Sequence, residues 1–359
     1  MELQRMSRNS HVPGKVAAIG FALFGTALCF ASTTGWQPSR DRVDPARVVD
    51  AIEDVNGVHP GFRRNHPKGV CLVGWFDSNG AGAALSRAMV FGPGRVPVIG
   101  RFSTGARQPD APDRANVVRS IALSLALPGG ETWRTAMNSA PVFQARDAET
   151  LHEHLVALKP DPATGKADPA RVAAFLAAHP ESARALALMS AAVISSGFAN
   201  TTFNSLNAFR LVDADGKKTA VRWSLQPVDS FEPQAAEVSA ERNYLFEALA
   251  ARLQQGPVQW RLILVVGQPG DPTNDATQPW PADRAKIDVG TLTVVALERE
   301  DDGGCRDIVF DPLALPSGIE PSDDPLLSAR SAAYAISADR RTAERRMLET
   351  VQVGEKATR

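Results

Sequence analysis

The chain is poor in the residue types that most often announce a function. It has three cysteines, two tyrosines and six histidines in 359 residues. So few cysteines in so long a chain exclude a disulfide scaffold. No CxxC or HxxxH spacing occurs, which excludes a Cys/His zinc module. Lys plus Arg is 39 against 40 Asp plus Glu, a formal net charge of −1. Bulk positive charge for sequence-blind nucleic-acid binding is therefore missing, and no nucleic-acid partner is expected. The 27 glycines and 26 prolines follow no period, which excludes a collagen-like chain. What is present is 44% hydrophobic residues and 22% charged ones, a globular composition with ample core.

The first forty residues stand apart. Arg5, Arg8 and Lys15 precede a stretch, Val16 to Gln37, that holds no charge. This reads as a basic n-region followed by a membrane-inserting segment: a cleaved signal peptide with small residues at Ala31–Gly35, or a retained anchor. Either way the remainder is expected to be exported, periplasmic or held at the outer face of the cytoplasmic membrane. The division is thus 1–40 as leader or anchor and 41–359 as one domain. Cys71 and Cys305 are expected as two buried thiols, although an oxidising compartment would permit them to pair.

Beyond residue 40 the pattern mixes short strands with a few helices. Lys68–Phe76, Val96–Thr104, Val117–Leu127, Trp260–Val266 and Gly290–Leu297 read as strands. Phe209 and Leu211, then Asp213-Ala214-Asp215-Gly216, then Val221, Trp223 and Leu225 form a hairpin signal. One helix starts at Asp168-Pro169, and another is expected over Ser239–Gln254. Many short strands with hairpin turns suggest an antiparallel barrel or sandwich with added helices.

The C-terminal helix carries the most chemistry. Asp324 can cap it and Pro325 can open its first turn. Arg330, Tyr334 and Arg341 are then spaced to lie within about 40° of one another on one face. On spacing alone, a surface stripe of Arg packed on Tyr is the simpler reading. The alternative is a phenolate held beside a cation, and ionised Tyr is a hard anionic ligand known to hold haem iron.

Several motifs in order decide between these. Phe310-Asp311-Pro312, Gly318-Ile319-Glu320-Pro321-Ser322, Arg330 and Tyr334 resemble the proximal haem segment of the catalase family. Trp280-Pro281 and Val289-Gly290-Thr291-Leu292 resemble the strand leading into it. His66-Pro67-Lys68-Gly69, Gly100-Arg101-Phe102-Ser103-Thr104 and Asn138–Phe143 with Arg146-Asp147 resemble its distal motifs. The resemblance spans residues 48–346. The chain ends soon after the Tyr334 helix, and so it looks most like the small catalase-related haem peroxidases.

The resemblance implies an α+β fold, a catalase-like antiparallel β-barrel with surrounding helices. It implies haem b, with Tyr334 as axial ligand of the iron and Arg330 keeping the phenol ionised. It implies His66 as distal acid/base, oriented by a hydrogen bond from Ser103, and Asn138 holding the peroxide. Arg63, Arg101 and Arg341 match positions that grip the haem propionates. The expected reaction is reduction of hydrogen peroxide or an organic peroxide through a ferryl intermediate, with a small organic electron donor. True catalase activity, rearrangement of a lipid hydroperoxide, and an exported haem or apolar-ligand binding protein are the alternatives. One departure is Asn65, which stands where catalases carry an apolar residue beside the distal histidine. His11, His59, His152, His154 and His179 are given no role.

Overall fold

A computed structural model of the protein describes residues 43–115 and 118–356. The leader or anchor expected at 1–40 lies outside the described residues. Among the described residues no helix is long and apolar enough to cross a membrane.

Among the described residues ten strands make one antiparallel sheet: β1 Gly69–Ser78, β2 Gly94–Thr104, β3 Arg119–Ala126, β4 Thr132–Asn138, β5 Phe203–Asn204, β6 Phe209–Val212, β7 Lys218–Pro227, β8 Val258–Val266, β9 Lys286–Glu298 and β10 Ile319–Pro321. Eight of them close into a ring in the order β7-β5-β4-β3-β2-β1-β9-β8, because β8 pairs back onto β7. Strands β6 and β10 branch from β7 at its other edge. Closure removes the exposed edges that an open sheet would present.

Among the described residues six α-helices lie around the barrel: α1 Pro45–Asn56, α2 Ala148–Leu158, α3 Pro169–Ala178, α4 Pro180–Ala191, α5 Tyr244–Gln254 and α6 Pro325–Lys356. The fold is thus the α+β barrel that the sequence motifs imply. Asp44 and Asp168 cap α1 and α3 by accepting hydrogen bonds from Ala46 N and Ala170 N at 2.9 Å.

Strand alternation builds the core. Val70, Phe102, Ile121 and Met137 are register partners across β1–β4; the last three are buried in the core, and half-buried Val70 packs against it. Three tryptophans, Trp133, Trp223 and Trp260, are fully buried there. Trp133 meets Trp223 edge-on at 5.2 Å, and Phe102 lies 5.7 Å from Trp260. Gly74 marks a register shift between β1 and β9; a Cβ there would sit 2.0 Å from the Thr293 carbonyl oxygen.

Two expectations change. The Ser239–Gln254 helix begins only at Tyr244. The Asp113 carboxylate reaches in from another loop to accept from Leu245 N at 2.9 Å. Its own N–H bonds the Arg242 carbonyl, so the segment before Tyr244 is tied down in a non-helical form. Cys71 and Cys305 are not free thiols but a disulfide between fully buried residues. They meet because Cys71 pairs with Glu298 at the end of β9, and Cys305 follows in the loop that returns from that end.

Phe102 has no exposed surface and touches Phe198, Phe203 and Trp260 with its ring. Phe102→Ala should therefore cost about 3–5 kcal/mol. Urea unfolding followed by tryptophan fluorescence measures it, and a loss below about 1 kcal/mol would contradict this picture of the core.

Candidate active site

The outward face of the same strands forms the floor of a cavity. Ser103, Ser120 and Asn138 are register partners across β2, β3 and β4, so they share one face. One pleat further along, Arg101, Ala122 and Ala136 form a second row. All six line the cavity, and the two alanines leave room for something flat. All eight residues singled out from the sequence line it too: His66, Ser103, Asn138, Arg63, Arg101, Arg330, Tyr334 and Arg341. None of His59, His152, His154 and His179 does; His11 lies outside the described residues.

His66 sits in the turn before β1 with φ of 54°, a left-handed conformation costly for a non-glycine residue. The only other described non-glycine residue with positive φ is Leu206, at 63°, and it lines the same cavity. Arg101 clamps the turn by donating to the carbonyls of His66 at 2.9 Å and Pro67 at 3.1 Å. Asn65, exposed beside it, accepts from His66 N at 3.1 Å.

The ring of His66 is oriented differently from the sequence-based expectation. Its Nδ1 lies 2.8 Å from the Thr104 carbonyl oxygen and 3.4 Å from Ser120 Oγ. Ser103 Oγ makes no hydrogen bond to the ring; the hydroxyl that approaches belongs to its cross-strand partner. A carbonyl can only accept, so Nδ1 carries the proton and Nε2 keeps its lone pair. Burial lowers the imidazole pKa to about 4, with Arg101 and Arg330 adding to the fall and the Thr104 carbonyl opposing it. The ring is thus neutral at physiological pH. Asn138 Oδ1 accepts from Ala140 N at 2.9 Å, which leaves its amide N–H groups as the donors available to the cavity.

Helix α6 supplies the facing wall. Asp324 caps it, accepting from Leu326 N at 2.9 Å through one oxygen and from Asn207 Nδ2 at 2.7 Å through the other. Asn207 Oδ1 accepts from Arg330, whose Nη2 donates to Tyr334 Oη at 3.2 Å. A relay Asp324–Asn207–Arg330–Tyr334 thus fixes the phenol from the helix start. Ala329, Ala333, Ser337 and Ala338 keep that face of the helix low.

At one end of the cavity positive charge accumulates. Arg63 and Arg101 share the carboxylate of Glu300, at 3.1 Å and 2.7 Å. Buried Arg341 has an Nε with no hydrogen-bond partner among the described residues. Burial lowers the Arg63 pKa to about 9, with Arg101 and Arg341 contributing and Glu300 opposing. Arg64 turns away to pair with Glu53 and Glu344. An unsatisfied guanidinium beside two more, a floor of serines and alanines, and a phenol on the facing helix fit a flat group with carboxylates along one edge.

Ser120, Asn207 and Glu300 carry no sequence signal of their own, and Thr104, though part of a motif, acts through its backbone carbonyl. Ser120 was findable only through the strand register, and Asn207 and Glu300 only through the tertiary fold.

The comparisons agree with this geometry. The profile of the catalase family matches residues 48–350. A "Catalase-related peroxidase" of Synechococcus elongatus is 37% identical over 91% of this chain and 94% of its own length. Another, from Mycolicibacterium paratuberculosis, is 34% identical over 83% of this chain and 95% of its own. A catalase of Pseudomonas aeruginosa is 30% identical, but this chain matches only 55% of it. The structure of a bacterial catalase superposes with a TM-score of 0.69 over 85% of this chain and 62% of that one, at 22% identity. The chain belongs to the catalase family. Within that family it matches nearly the whole length of the catalase-related peroxidases and about half of a large catalase.

The depressed His66 pKa has a measurable consequence. The unfolded chain takes up a proton at residue 66 near pH 6.5, whereas the folded chain does so only near pH 4. Stability from this residue is therefore complete above pH 6.5 and is lost as pH falls toward 4. Between pH 7 and pH 4.5, His66→Gln should lose about 2 kcal/mol less than the parent in urea unfolding. Equal losses would show that the buried ring protonates freely.

Proposed function

We propose that this chain is a haem peroxidase that binds haem b through Tyr334 and reduces hydrogen peroxide or an organic peroxide with electrons from a small organic donor. The enzyme class, an oxidoreductase acting on peroxide, follows from its membership of the catalase family. The observation that carries the finer reading is one cavity that joins a neutral, oriented imidazole on the barrel wall to an arginine-held phenol on α6.

Catalase family members bind haem. Here Tyr334 would hold the iron, and Arg63, Arg101 and Arg341 would take the two propionates. When bound, haem supplies the iron centre and the electrons that cleavage of an O–O bond consumes. The chain's own residues handle the protons. His66 Nε2, with its lone pair free, accepts the proton from the bound peroxide oxygen. The same ring returns it to the departing oxygen, which leaves as water or, for an organic peroxide, as an alcohol. Asn138 donates from its amide and fixes the peroxide without competing for that proton. Arg330 donates to Tyr334 Oη and stabilises negative charge on it. Asn207 and Asp324 keep Arg330 aimed there.

Export is part of the proposal. The basic residues ahead of the uncharged Val16–Gln37 support it, and so does a buried disulfide, which persists in oxidising compartments.

The test is an optical spectrum of the haem-supplemented chain before and after one equivalent of peroxide, followed by turnover with a phenolic donor. A ferric haem spectrum that shifts with peroxide and returns with donor is expected. Tyr334→Phe should lose that spectrum, and His66→Ala should keep haem but lose about 10²–10⁴ in rate with peroxide. Oxygen release faster than donor oxidation would make catalase activity the main reaction. A haem spectrum indifferent to peroxide would leave only a binding protein.

A further inference from the structure

The arginine cradle contains a carboxylate that no haem-holding role accounts for. Glu300 does not line the cavity; it stands behind the two guanidiniums that do. Its Oε1 accepts from Arg63 Nε at 3.1 Å, and its Oε2 accepts from Arg101 Nε at 2.9 Å and Nη2 at 2.7 Å. Burial pushes its acid up, but Arg101 and then Arg63 outweigh that and hold it below the ordinary carboxylate range. It is therefore charged where it sits.

We infer that Glu300 is a built-in counter-ion that positions Arg63 and Arg101 and lets the three-arginine cradle fold before an anionic cofactor arrives. This rests on the haem reading above. Three guanidiniums close together and largely removed from water repel one another, and such charges are tolerated only when paired. One carboxylate leaves an excess of two positive charges, the complement of a group that brings two carboxylates. Full neutralisation by acidic residues would have left nothing for such a group to bind. With none, the unliganded fold would carry the whole repulsion.

The chain makes Glu300 rigid. Strand β9 ends at Glu298, the register partner of Cys71, and seven residues later Cys305 is bonded to that same Cys71. Glu300 thus sits in a short loop whose two ends are fixed at one residue of β1. Cys71 is in turn the register partner of Arg101. The far side of the loop boxes in the second arginine: Arg63 Nη2 donates to the Cys305 carbonyl at 3.1 Å, and its Nη1 to that of Ile308 at 3.2 Å. Because Arg101 also holds the carbonyls of His66 and Pro67, the same carboxylate steadies the His66 turn.

A plain structural salt bridge would support the protein equally with and without cofactor; a placeholder counter-ion would not. The test compares thermal unfolding of the full chain, apo and haem-loaded, in Glu300→Gln, Glu300→Asp and the parent, together with haem transfer to apomyoglobin. Glu300→Gln keeps the shape and removes the charge. It should lower the apoprotein midpoint by several degrees, lower the loaded midpoint by less than half as much, and slow haem loss about fivefold. Glu300→Asp, which keeps the charge, should stay close to the parent. If Glu300→Gln does not accumulate as apoprotein, refolding with haem should rescue it. Equal losses in both forms, faster haem loss, or failure of Glu300→Asp to fold would overturn the role of Glu300. No haem spectrum in the parent chain would instead sink the haem reading on which it rests.

Discussion

The period-two alternation of strands β2, β3 and β4 underlies both the core and the site. On each of these strands, neighbours along the chain serve opposite purposes. Phe102 fills the barrel while Arg101 and Ser103 face the cavity; Ile121 and Met137 fill it while Ser120 and Asn138 face outward. The geometry of the cavity wall is therefore a by-product of core packing. A one-residue slip of register would carry polar groups into the barrel and phenylalanine into the cavity. Closure of the ring by β7 and β8 makes such a slip costly, because each of the eight ring strands is paired on both sides.

On that rigid wall the chain accepts several local costs. His66 is held in a backbone conformation that a histidine ordinarily avoids, and its ring is buried so that protonation is suppressed. Both costs shape what the ring presents to the cavity: the first aims it, and the second keeps it neutral, with the Nε2 lone pair free. The third cost is electrostatic, in Arg63, Arg101 and Arg341 gathered with a single carboxylate. Each feature is held by something stronger nearby: Arg101 on the His66 turn, the Thr104 carbonyl on the ring, and the Cys71–Cys305 disulfide on the loop that carries Glu300.

How much of this was legible in the sequence follows from the range of each interaction. The β6–β7 hairpin, the caps at Asp168 and Asp324, and the shared face of Arg330, Tyr334 and Arg341 depend on residues a few positions apart. All of them read correctly from periodicity and turn chemistry. The start of α5 did not, because the Leu245 N–H in its first turn is met by Asp113, more than a hundred residues away. The choice of Ser120 over Ser103 as the hydroxyl nearest His66 needs the ring's exact tilt, which no motif encodes. The pairing of Cys71 with Cys305 and of Glu300 with two arginines needs β9 to be known as the neighbour of β1. The motifs name the residues that face the cavity; the residues that hold them in place emerge only with the fold.

The link between Tyr334 and the barrel shows why those supporting residues matter. A helix as long as α6 could rotate or slide against a sheet, since side-chain packing alone resists such motion weakly when the facing residues are alanine and serine. Small residues are nevertheless needed there if something flat is to fit. Asn207 resolves the conflict. It leads out of the segment joining β5 to β6, accepts from Arg330 through its oxygen and donates to the Asp324 cap through its nitrogen. The cap of α6 and its second turn are thereby tied to one side chain, Asn207. Rotation of the helix would break both bonds and leave buried Asp324 without its amide partner, a penalty large compared with the packing it replaces. The phenol position is thus set by the cap of its own helix.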